Sequence, residues 1–195
     1  MTEPAALGEA FAAATARFGP VDVLVAAAGI SSTAPLARTE LAMLRDMFAV
    51  NVEGVLSAIQ LALPGMLEAG HGRIVAVAST AALKGYAYAG AYAATKHAVL
   101  GLVRSLALET AKTGVTVNAV CPGFTDTEMT AESVARIMQK TGRDKAAAEA
   151  ALAANSPMGR LIAPTEVADA VRWLTGPGAA AITGQVIAVA GGEVM

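Results

Sequence analysis

Cysteine is almost missing: Cys121 is the one such residue in 195. No internal disulfide can form, and the chain suits a reducing compartment, so a cytoplasmic location is expected. Two histidines, His71 and His97, stand without a cysteine or acidic cluster at ligand spacing, and no metal site is expected. Charged residues make up 15% of the chain, the formal net charge is −2, and no basic cluster occurs. Nucleic acid is therefore not an expected partner. No uninterrupted apolar run reaches about 18 residues, which predicts no transmembrane helix or membrane partner. The start lacks the basic and apolar regions of a signal peptide. None of the nineteen glycines opens a Gly-x-Gly-x-x-Gly turn, the kind that holds a pyrophosphate at a helix N-terminus. What is present is 55% hydrophobic, enough for one domain, residues 1–195, with a sizeable core.

That apolar content is patterned. Leu7, Phe11, Ala14 and Phe18 mark one face of a helix from Pro4 to Phe18, stopped by Gly19-Pro20. Val21–Val25, Ile74–Val77, Val115–Val120 and Val186–Val189 read as strands. Cys121, at the end of the third, reads as a buried thiol. Thr39 is a candidate N-cap for a helix that passes Leu44 and Phe48 to Asn51 and continues through Val55 and Ile59 to Pro64. Helices are also predicted over 92–112, 129–141, 145–154 and 165–174. Strands alternating with helices imply an α/β fold, a parallel sheet with helices on both faces. The long stretch 124–157 is expected to cover a substrate.

Chemistry concentrates between Gly72 and Leu108. Ser79 falls where the Ile74–Val77 strand should end. After a loop rich in glycine, alanine and tyrosine, Tyr92 and Lys96 stand four apart on a helix whose Val99, Leu102, Val103 and Leu106 repeat at helical spacing. Residues at i and i+4 lie one above the other on a helix face. A phenol titrates near pH 10 and is a poor base at neutrality; an adjacent ammonium favours its ionised form. Such a pair can exchange a proton with an alcohol or carbonyl oxygen, while a serine hydroxyl fixes that oxygen in place. A cofactor must supply the hydride, because no side chain can.

Several further stretches share a pattern with these. They are Gly72-Arg-Ile-Val-x-Val-x-Ser79, Tyr92-x-x-x-Lys96, Val117-Asn-x-Val-x-Pro-Gly123 with Thr127, Ile182-Thr-Gly-Gln, and the ending Gly191-Gly192. Tyr92 follows Ser79 by thirteen residues, and Ser79 follows Asn51 by twenty-eight. Over nearly its whole length the chain resembles the short-chain dehydrogenase/reductase family. The run from Thr116 to Phe124 looks most like bacterial 3-oxoacyl-thioester reductases and aromatic-polyketide ketoreductases.

The resemblance implies a Rossmann-like fold and an oxidoreductase that uses NAD or NADP to interconvert a secondary alcohol and a ketone, such as a 3-oxoacyl thioester. It implies Tyr92 as general acid–base, Lys96 as the group that lowers the tyrosine pKa and holds the nicotinamide ribose, and Ser79 as the substrate-positioning hydroxyl. Asn51 would bend its helix and hold a water in a proton relay. Gly29, Pro122, Gly123 and Thr127 would contact the cofactor. Ala26 and Ala27 stand where many members carry two asparagines. Leu83, Tyr86, Tyr88 and Phe124 are candidates to line an acyl or aromatic substrate site.

The family's Thr-Gly-x-x-x-Gly-x-Gly turn is not found, so the expected fold lacks its first three strands, and the residue that selects between NAD and NADP is not readable. A Val codon used as an alternative start would produce such an N-terminus. Strand 21–25 would then be an exposed edge, to be covered by another chain. Family members pair through helices equivalent to 41–63 and 92–112, so a homo-oligomer, dimer or tetramer, is expected. Two further readings compete: a catalytically silent, oligomer-forming chain that cannot bind cofactor, and a fragment active only beside a partner that supplies the missing strands.

Overall fold

The computed structural model describes residues 2–195. Its centre is a four-stranded parallel sheet in the order β1-β2-β3-β4, formed by Val23–Ala26, Gly72–Val77, Val115–Pro122 and Val186–Val189. The two middle strands are buried almost throughout, which is why neither alternates strictly between apolar and polar residues. Alternation appears instead in which layer each side chain enters. Ile74, Ala76, Val117, Ala119 and Cys121 join the larger core on one face. Val75 and Val120 pack with Leu174 on the other.

Helices α3 (Gly54–Ala69) and α4 (Gly90–Thr110) lie over the first face, with α1 (Pro4–Phe18) against α3. Helix α7 (Pro164–Thr175) covers the second face. Helices α5 (Glu128–Thr141) and α6 (Lys145–Ala153) stand apart from both layers and share a small core of Val134, Ala148 and Leu152. The parallel α/β architecture of the sequence reading is therefore present.

Three local expectations need correction. Thr39 does not cap the next helix: its hydroxyl donates to Pro35 O, and α2 (Leu41–Phe48) begins after Glu40 with no side-chain cap. The helix through Ile59 does not end at Pro64 but runs to Ala69. Pro64 and Gln60 are both exposed, so the carbonyl deprived of an N–H partner faces solvent. The stop is Gly70, left-handed at φ 63°, where Gly70 N–H and His71 N–H close onto Leu67 O and Met66 O. Phe18 is 77% exposed and Ala14 is also exposed; only the half-buried Leu7 and Phe11 of that face turn inward, because α1 packs on a single helix.

Helix α2, a π turn at Ala49–Glu53 and α3 run on as one 29-residue helical stretch, Leu41–Ala69, with mean hydropathy 1.4 in its most apolar window. By length and composition alone it could cross a bilayer, a test that core helices also pass; its Val55, Ile59, Ala62 and Met66 are buried in the core.

Candidate functional site

The carboxyl ends of the parallel strands open onto a cleft of about 1570 Å³, the place where open α/β sheets hold ligands. Three strand ends supply its floor. Gly29 follows β1, Ser79 follows β2, and Pro122 and Gly123 end β3; all four line the cleft. Tyr92 and Lys96 enter from the first turns of α4, and Thr127 from the residue before α5. Seven of the eight site residues expected from the sequence thus meet in one cavity.

Asn51, the eighth, is fully buried one layer behind, within the π turn. Its side chain accepts from Ile30 N–H at 2.8 Å and donates to Ile30 O and to Thr95 Oγ1, both at 3.0 Å. Thr95 in turn donates to Tyr92 O at 2.8 Å. Gly29 lies directly above this amide: a β-carbon there would fall 3.3 Å from Asn51 Oδ1 and 3.4 Å from Lys96 Nζ. A side chain at position 29 would therefore crowd both groups and occupy space at the cleft floor.

The Ser79 side chain accepts from Ala81 N–H at 3.1 Å, starting a short 3-10 turn. Lys96 is 5% exposed, and its ammonium donates to Val77 O at 3.1 Å. Among the described residues this is its one hydrogen bond, leaving two of its three donors available to a ligand. Its Nζ sits 5.8 Å from the centre of the Tyr92 ring.

Burial governs the ionisation of both groups. It raises the Tyr92 pKa above the ordinary value, with the Ser79 hydroxyl acting in the opposite direction. It lowers Lys96 to about 8. Removal from water sets both directions, because the phenolate and the ammonium are each costly to bury. The protein holds Tyr92 as a phenol, a proton donor.

Tyr86, Tyr88 and Phe124 line the same cleft, as expected. Leu83 does not; it borders a smaller hollow with Val186 and Met195, because the 3-10 turn after Ser79 carries it away from the cleft. Thr95 was missed in the sequence, although it is a polar residue between Tyr92 and Lys96 in an alanine-rich turn. Glu193 was also missed: it lies just behind the cleft floor, and a β-carbon on Gly123 would come within 2.9 Å of its Oε2.

Known proteins share this arrangement of chain. The family model described as Enoyl-(Acyl carrier protein) reductase matches residues 1–193. A Streptomyces coelicolor protein described as a ketoacyl reductase is 43% identical over 186 residues, covering 93% of this chain and 70% of that protein. The 3-oxoacyl-[acyl-carrier-protein] reductase FabG of Vibrio cholerae is 37% identical over 195 residues, covering 100% of this chain and 75% of FabG. Among solved structures, a tryptophan-substituted actinorhodin polyketide ketoreductase with NADPH superposes at a TM-score of 0.94 with 39% identity, over 98% of this chain and 74% of that one. ElxO with NADP bound gives 0.88 with 30% identity, over 98% and 75%. By sequence, fold and the position of its cleft, the chain belongs to the short-chain dehydrogenase/reductase family.

Proposed function

We propose that the chain reduces a bulky ketone, of the 3-oxoacyl or polyketide type that similar proteins are named for, with NADPH or NADH as hydride source. One observation carries this reading: Ser79, Tyr92 and Lys96 meet at a single cleft, with Asn51 buried behind them. The nicotinamide half of such a cofactor fits the residues present. Gly29 leaves the floor bare, Lys96 has donors to offer ribose hydroxyls, and Pro122, Gly123 and Thr127 form the adjoining wall. For the pyrophosphate, no glycine-rich turn occurs among the described residues. When bound, the cofactor supplies the hydride.

The chain's own residues do the rest. Ser79 donates a hydrogen bond to the substrate oxygen and fixes it near Tyr92. Tyr92 gives that oxygen its proton as charge develops there. Burial favours the protonated phenol, the form from which that proton is given. Lys96 places positive charge beneath Tyr92 and stabilises the phenolate left behind. Asn51 anchors Gly29 and Ile30 against α4 and so keeps the floor at the right height. Helices α5 and α6, with residues 124–157, form the cover over the substrate; their Met129, Ile137 and Leu152 face the cavity. The chain works as a homo-oligomer built through α3 and α4, where Leu56 and Leu108 are exposed.

Fluorescence titration with NADPH and NADH, followed by addition of acetoacetyl-CoA or a bicyclic ketone, tests the proposal. Saturable binding and ketone-dependent cofactor oxidation are expected. No binding at about 1 mM cofactor, the upper end of ordinary enzyme affinities, would overturn it.

A further inference from the structure

The last residues of the chain hold a buried acid beside the cleft. Gly191 and Gly192 both take left-handed backbone, φ 58° and 87°, and a β-carbon on Gly191 would clash with Ser156 Oγ. This double turn folds residue 193 back across the end of β3. The Glu193 side chain is 1% exposed. Its Oε1 accepts from Tyr86 OH and lies 3.1 Å from Lys84 Nζ. A carboxylate can only accept, so Tyr86 spends its proton on Glu193 and receives one from Thr80 Oγ1, 2.6 Å away. The Tyr86 ring meets Phe124 edge-on, centroids 6.0 Å apart at 83°.

One acid thus links the turn behind Ser79 to the Tyr86–Phe124 wall, and it lies close to Gly123. A buried carboxylate is costly unless paired, and well-packed apolar residues would often serve stability as well. What the pairing adds is position, because all its partners lie on the loop that joins Ser79 to Tyr92.

We propose that Glu193 is a positioning residue: acting through Tyr86, it fixes the aromatic wall against which a bulky ketone lies. This rests on the reductase reading above. Steady-state kinetics on 1-decalone, a fused bicyclic ketone, and ethyl acetoacetate, a short linear one, provide the first readout. In Glu193→Ala and Tyr86→Phe, kcat/KM for the bicyclic ketone relative to the linear one should fall about tenfold, through KM, since small misplacements of a positioning wall cost that much or more. The double variant should fall no further than either single one, and Glu193→Gln, whose amide oxygen still accepts from Tyr86, should recover most of the loss.

Hydrogen exchange provides the second readout, independent of turnover. The Leu83 and Ala89 amides, bonded to Thr80 O and Tyr86 O, should exchange about tenfold faster in Glu193→Ala, with those of β3 unchanged. Equal losses on both ketones, additive effects in the double variant, or unchanged exchange at 83 and 89 would each overturn the proposal. A wild-type chain that reduces neither ketone refutes the reductase reading instead, and the exchange result then decides alone whether Glu193 holds the loop.

Discussion

Burial pushes the two ionisable groups of the cleft toward their neutral forms, with opposite consequences for pH. Lys96 has an ordinary pKa of 10.5 in the unfolded chain and about 8 in the folded one. Between those values the unfolded chain binds more protons, so stability rises with pH; below pH 8 the buried charge imposes its full cost. Urea unfolding at pH 7, 8, 9 and 10 should show stability climbing across the range, by at most about 3 kcal/mol. Lys96→Met should remove the climb. Above pH 10 Tyr92 and Tyr86, both held protonated in the fold, act the other way. Asn51 gives a second residue-scale prediction. Its side chain makes one buried hydrogen bond, to Thr95, and two part-buried ones to Ile30 backbone, so Asn51→Ala strands an N–H and a carbonyl. A loss of about 2–4 kcal/mol in unfolding free energy is expected.

At the scale of elements, the site is a property of where strands end and helices begin. Residue chemistry was legible in the sequence because Ser79, Tyr92 and Lys96 are set by strand and helix periods that a linear pattern records. Gly29 could be named, but its reason could not: a β-carbon there would fall 3.3 Å from Asn51 Oδ1, a neighbour twenty-two residues away. Gly29→Ala should weaken NADPH binding about tenfold or more with little change in stability, measured by the same fluorescence titration. Thr39 and Pro64 misled because capping and helix breaking are local preferences, and a neighbouring backbone acceptor or a solvent-facing carbonyl overrides them. Helices α5 and α6 were placed within a residue or two, but their separate small core was not visible. Leu152→Ala should loosen that unit alone, raising KM for a bulky ketone severalfold and speeding proteolysis within 128–153.

For the whole molecule, the open sheet leaves β1 and β4 as edge strands among the described residues. Among the described residues nothing pairs with the outer edge of β1, where Val23 and Val25 are 39% and 42% exposed. Leu108, on α4, is 81% exposed, whereas Val99, Leu100, Val103 and Leu106 of the same helix are buried. Light scattering should therefore report an oligomer, and Leu108→Lys should shift it toward monomer. The chain spans 70–75% of the relatives named above, and the part it shares with them carries the strand ends that build the cleft. Assembly was not legible in residue pattern alone, since an apolar helix face reads the same whether a core or a second copy covers it.

The account depends on Tyr92 passing a proton to a ketone in this cleft. Ketone-dependent oxidation of NADPH, compared between the wild-type chain and Tyr92→Phe, measures this most directly. The expected result is turnover by the wild type, a loss of about a hundredfold or more in Tyr92→Phe, and unchanged NADPH affinity. Equal turnover by both proteins would contradict it.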